Sequence, residues 1–208
     1  MGRDAILFFN YKRINAALSN PEFEEHMQAM FGVERARVLR DELGGLHPHE
    51  REQRVHAEME NALHEVGVKY VQRYDFAKRH DSLFFMSQKE KGLRVMKNVM
   101  QKRSTSTDHG VPSFAYARPT DVQASLFMPT RTPIDELRDD LLHHFAGRTL
   151  TFEEIVREHH PGTNYIDKNY REVLLTLEVE GVISTSPKER RPGTFGPNVL
   201  VTFPKRSN

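Results

Sequence analysis

Ala5-Ile6-Leu7-Phe8-Phe9 is a continuous apolar run ended by Asn10, a pattern that predicts a short strand buried on both faces of a sheet. Apolar residues then recur at helical spacing. Ile14, Leu18, Met27, Met30 and Phe31 place helix within 11–31, interrupted at Asn20-Pro21, with Pro21 opening a second helix. Another short helix over 33–43 is stopped by Gly44-Gly45. Residues 48–66 are amphipathic, with Val55, Met59, Ala62, Leu63 and Val66 on one face and Gly67 as the stop. Strands are predicted over 68–76 and 82–86, and the polar turn 78–81 joins them as an antiparallel hairpin. Leu93, Met96, Val99 and Met100 return to helical spacing, with Lys91, Arg94 and Lys97 between them. From 102 to 131, Ser, Thr, Gly and Pro residues break the periodicity. This reads as a linker, part of which packs on a neighbouring surface through Phe114, Tyr116, Leu126 and Phe127.

The last third is the most legible. Thr132 before Pro133, with Asp135 at the third helical position, opens a helix whose apolar face is Ile134, Leu137, Leu141, Leu142 and Phe145. Thr151 and Glu154 form a capping box for a short helix through Ile155 and Val156. A third helix spans about 167–180 and ends at Gly181. Val182-Ile183-Ser184, a basic turn and Val199–Phe203 then make a hairpin. Three helices followed by a hairpin is the order of a winged helix-turn-helix. In that architecture the third helix enters the major groove and the wing touches phosphates. The candidate nucleic-acid contacts are therefore Asn164, Lys168, Asn169 and Arg171 on the helix, with Lys188, Arg190 and Arg191 on the wing. Lys205 and Arg206 extend the basic tail. Protein docking is the competing use of such a module, and Asp167, Glu172, Glu178 and Glu180 on the same helix fit that use.

Charge and composition limit the remaining possibilities. The formal net charge of the 208 residues is +1, so attraction to phosphate has to come from local patches. With no cysteine, disulfides, thiolate metal sites and cysteine nucleophiles are excluded, and a reducing cytoplasm is the expected location. No apolar run reaches the roughly 20 residues of a membrane span, and no signal peptide is expected. Among the 11 histidines, His47, His49, His56 and His64 lack the three- or four-residue spacing of converging ligands and read as a solvated helical face, so no metal is expected. Ser113 and Ser125 do not lie in a nucleophile elbow. Asn10 is a ligand-edge candidate, because α/β folds bind ligands beyond the C-terminal ends of their strands.

Several segments in order carry a resemblance. The run Ile6–Asn15, the strands Tyr70–Phe76 and Leu83–Met86, the stretch Gly92–Met100 and Gln123-Ala124-Ser125-Leu126-Phe127 resemble the C-terminal part of the three-Cys-motif partner protein family. That resemblance implies an α/β fold: a partial class I methyltransferase-like sheet with helices over 1–101, a linker over 102–131 and a winged helix-turn-helix domain over 132–208. It also implies S-adenosylmethionine as a cofactor for the whole domain. The glycine-rich loop, the acidic ribose contact and the Asp-Pro-Phe-Gly-like segment of that family have no counterpart here. The expected function is thus recognition of DNA or RNA, or of a partner protein, without catalysis by this chain alone. The alternative is the C-terminal part of an S-adenosylmethionine-dependent methyltransferase or nuclease-like effector, its sheet completed by a second chain or an N-terminal half.

Overall fold

A computed structural model describes residues 4–76, 78–117, 131–191 and 193–205. Two compact units emerge, Met1–Met96 with Ala115–Ala117, and Lys97–Phe114 with Arg118–Asn208. The division falls inside one helix and assigns 97–114 to the C-terminal unit, whereas the sequence pattern placed 102–114 in a linker.

The first unit begins with β1 (Ala5–Asn10), which passes directly into α1 (Tyr11–Leu18). Asn10 caps that helix by accepting from Arg13 N at 2.8 Å. A 3-10 turn at Pro21–Phe23 leads into α2 (Glu24–Phe31), α3 (Val33–Leu43) and α4 (Pro48–Glu65), so the break at Asn20-Pro21 and the stops at Gly44 and Gly67 fall where the sequence places them. Strands β2 (Tyr70–Phe76) and β3 (Asp81–Ser87) form the expected antiparallel hairpin. Helix α5 (Glu90–Gln101) follows. Leu7, Val71 and Met86, partly buried, pack against a core in which Phe9 and Phe84 are buried with Leu18, Phe31, Leu39, Val55 and Met59 of the helices. Each large side chain sealed in this way stabilises the fold by about 1.5–3 kcal/mol.

The strand order is β1-β3-β2-β6, with β6 (Ala115–Tyr116) parallel to β2. Here the expectation for the first strand is corrected. Among the described residues β1 pairs only with β3, and Ile6 and Phe8 stand 57% and 60% exposed. Among the described residues it is an edge strand buried on one face, with Leu7 and Phe9 turned to the helical core and Ile6 and Phe8 on the open face.

The second unit contains the hairpin β4 (Thr107–Asp108) and β5 (Val111–Pro112), then α6 (Pro133–His144), β7 (Thr149–Thr151), α7 (Phe152–His159), α8 (Asp167–Val179), β8 (Ser184–Ser186) and β9 (Leu200–Thr202). Both expected capping boxes are present, Thr132 with Asp135 and Thr151 with Glu154. Strand β7 was not legible as a strand. It pairs through β9 into a three-stranded sheet of order β7-β9-β8, in which Leu150 faces Val201. Leu137, Leu141, Phe145, Ile155, Tyr170, Leu174, Leu177, Val201 and Phe203 make its core. Phe114 is buried and Tyr116 is 45% exposed, while Gln123–Phe127 lie outside the described residues.

Candidate nucleic-acid interface

The outer face of α8 and the loop between β8 and β9 divide the predicted contact residues into two groups. Asn164, in the turn before α8, is exposed, as are Lys168 and Arg171 in its first turns. The Arg171 guanidinium lies 4.1 Å from the Phe152 ring centroid and 3.5 Å from the Phe195 carbonyl, so it is held at a defined place while its residue stays open to solvent. Lys188 and Arg191 are exposed on the wing, and Lys205 is exposed beyond β9. Arg206 lies outside the described residues.

Asn169 and Arg190 are placed differently from the expectation. Asn169 is fully buried. Its Oδ1 accepts from Ile166 N at 3.0 Å and its Nδ2 donates to Gly110 O at 3.1 Å, so it caps α8 and ties down the β4–β5 hairpin. An amide used in this way has no surface to offer a base edge. Arg190 has a side chain only 9% exposed and pairs with Glu178 of α8 at 2.5 Å. It also donates to Thr185 Oγ1 and to Thr194 O at 2.9 and 2.7 Å, and sits 5.0 Å from the Phe195 centroid. It anchors the wing to the helix. Polar side chains near a helix start look alike in sequence, and only packing separates the cap from the contact.

Charge is segregated within this unit. Helices α6 and α7 hold Asp135, Glu136, Asp139, Asp140, Glu153, Glu154 and Glu158 against Arg138 and Arg157, whereas residues 182–208 hold five Lys or Arg against Glu189. The positive excess thus lies in the segment after α8, whereas α8 itself holds Lys168 and Arg171 against Asp167, Glu172 and Glu178.

Lys97 escaped the sequence reading. It is fully buried, and its Nζ donates to the carbonyls of His160 at 2.8 Å, Thr163 at 2.6 Å and Tyr165 at 3.4 Å. Those carbonyls belong to the turn between α7 and α8, so one ammonium holds the turn that aims α8. Burial pulls its pKa down from 10.5 to about 7, with Asp167 pulling the other way. The signal was available: Lys97 is four residues after Leu93 and three before Met100, on the apolar face of α5.

In the first unit Asn10 donates to Asp81 Oδ1 at 2.7 Å while capping α1. Beside it, Ser82 Oγ donates to Asp75 Oδ1 at 2.8 Å and lies 3.1 Å from His56 Nε2. With the Ser82 hydroxyl proton directed at Asp75, His56 donates from Nε2 to Ser82 Oγ, and its Nδ1 has no partner among the described residues. His56 is 2% exposed, not on a solvated face, and burial followed by nearby Arg73 lowers its pKa to about 4. The order of contacts differs from a hydrolytic triad, in which the carboxylate orients the histidine, and Ser82 is sealed from solvent. This is a structural hydrogen-bond network.

The described residues contain no cluster of three or more His, Asp or Glu that could hold a metal ion. None of their helices is long and apolar enough to cross a membrane. Gly44-Gly45 joins two helices, and β1 enters α1 without a glycine turn.

Comparison with known proteins gives one similarity. A protein-family model described as GMT-like wHTH domain matches residues 115–190. No curated protein and no solved structure matches. The match covers α6 to the start of the wing, and with the observed order of helices and strands it makes the C-terminal domain a winged helix, a module of nucleic-acid or partner recognition.

Proposed function

We propose that the winged-helix domain binds double-stranded DNA, with Lys168 and Arg171 of α8 at the major groove and Lys188 and Arg191 of the wing on the phosphate backbone. The segregation of these exposed cations from the acidic α6–α7 surface carries this reading. Asn164 is placed to join them, whereas Asn169 and Arg190 act by holding the helix and wing in position. The resemblance to the three-Cys-motif partner family agrees with a recognition role for the whole chain.

Fluorescence anisotropy of a labelled duplex over a range of KCl concentrations tests the reading. The unmodified protein should lose affinity steeply as salt rises. Lys188→Ala with Arg191→Ala should weaken binding by about tenfold or more and lower the slope of log K against log[salt] by about 2, one unit for each phosphate contact removed. Unchanged affinity and slope overturn the wing contact. Absence of salt-dependent binding in the unmodified protein overturns the DNA reading and favours a protein partner.

The exposed apolar side chains Ile6 and Phe8 on an edge strand favour a second reading for the first unit. An apolar edge strand with no protecting charge or proline inside it is a template for a further strand. On this reading a separate segment adds to β1 and supplies the S-adenosylmethionine contacts absent here, giving a methyltransferase or nuclease-like effector. Co-expression with an N-terminal half from the resembled family should slow hydrogen exchange of the β1 amides, and Phe8→Lys should abolish the protection. Exchange that is unaffected by the added half overturns this reading.

A further inference from the structure

A groove of about 580 Å³ opens in the C-terminal unit between the β4–β5 hairpin, the first turn of α6 and the turn that precedes α8. Its walls include Asp108 from the hairpin, Glu136 from α6, and Thr163, Asn164 and Tyr165 from the turn, and no lysine or arginine among the described residues lines it. The volume suits a small organic ligand.

Tyr165 marks the groove as more than an acidic patch. The residue is 9% exposed, its ring packed against His159 and Tyr170. Its backbone is fixed through Lys97, which donates to its carbonyl from behind the turn. Its hydroxyl has no hydrogen-bond partner among the described residues and belongs to a side chain lining the groove. Burial and the negative fields of Glu136 and Asp140 push its pKa up to about 12. Glu136 has no ion-pair partner among the described residues, and Asp108 meets only its neighbour His109, at 2.7 Å. Two carboxylates, a neutral phenol that can accept through its oxygen, and an aromatic face are the groups that recognise an alkylammonium ion.

We propose that this groove binds an aliphatic polyamine, with ammonium groups donating to Glu136 and Asp108 and to the Tyr165 hydroxyl. Flexible chains of methylenes between charges fit a slot whose floor includes Val111 and Pro112, both buried. A metal dication is poorly served there, because the two carboxylates come from separate elements and the described residues hold no cluster of three or more His, Asp or Glu that could ligate one. A bound amine would bridge the hairpin and α6 against the turn leading into α8. The binding itself requires no nucleic acid.

Isothermal titration of the full chain with spermidine at constant ionic strength, without DNA, tests the proposal. Saturable one-to-one binding is expected. Glu136→Gln and Asp108→Asn should each weaken it by about tenfold, and Tyr165→Phe by about threefold, while Glu189→Gln on the wing should leave it unchanged. Loss of one charged hydrogen bond accounts for the first two effects. Equal weakening by Glu189→Gln, or affinity untouched by Glu136→Gln and Asp108→Asn, would show diffuse charge attraction and overturn the site. So would equally tight binding of magnesium ion or of a neutral polyol such as sorbitol.

Discussion

Replacing Lys97 with alanine should lower the stability of the C-terminal unit by about 3–5 kcal/mol, the combined cost of a cavity and of buried carbonyls left without a donor. The Nζ atom reaches His160, Thr163 and Tyr165 carbonyls together, and no other side chain among the described residues is bonded to the last two. Losing it should loosen the turn before α8 more than the rest of the unit. Urea denaturation gives the size of the effect, and hydrogen exchange over residues 160–166 gives its location. A change below 1 kcal/mol would mean that the lysine is incidental to the turn.

The same residue predicts a dependence on pH. In the unfolded chain its amine holds a proton to about pH 10.4. In the folded chain burial lowers the pKa to about 7. Between those values the unfolded state binds more protons, so stability rises with pH. The cost of the buried charge is full below about pH 7 and disappears above the unfolded value. The three carbonyls favour the ammonium form, which makes the rise shallower than desolvation alone would give. Compared with Lys97→Met, the unmodified protein should gain about 2 kcal/mol between pH 7 and 10. Denaturation midpoints that move in parallel for the two proteins contradict this.

The second large effect is expected at Arg190. Alanine there removes the guanidinium from Glu178, Thr185 and Thr194 at once and leaves a carboxylate that is 25% exposed without its cation. The expected loss is about 2–4 kcal/mol, as for other half-buried pairs cut on one side. For a unit of this size that corresponds to a fall in Tm of about 10 °C or more. Arg191→Ala, one residue away on the open face of the wing, should change stability by no more than about 0.5 kcal/mol. The two variants therefore separate in opposite senses. Arg190→Ala should melt early, and Arg191→Ala should melt normally yet bind weakly. Equal melting temperatures would show that the pair with Glu178 contributes nothing to the wing.

Helices were readable wherever local chemistry sets their ends. Thr132 with Pro133 and Asp135, Thr151 with Glu154, and the stops at Gly67 and Gly181 act over three or four residues, so the sequence contains the whole interaction. The β2–β3 hairpin was readable for the same reason. Strand β7 was not, because three residues, Thr149–Thr151, show too little alternation and become a strand only through pairing with β9, about 50 residues later. The hairpin at 107–112 is not legible in the sequence, because its tie to the fold runs from Gly110 to Asn169, 59 residues later.

The sequence by itself determined the order of the helices and of the β2–β3 hairpin, the winged-helix character of the last third and the basic bias that follows α8, since each depends on periodicity, caps and charge within a short span. Only the tertiary structure decided which polar side chains face solvent. It placed Lys97, His56, Asn169 and Arg190 inside the fold and left Lys168, Arg171, Lys188 and Arg191 outside. It also turned the apolar opening strand into an exposed edge. The physical reason is that burial of a polar group is settled by the partners waiting for it, and those partners lie as many as 68 residues away, as for Lys97 and Tyr165.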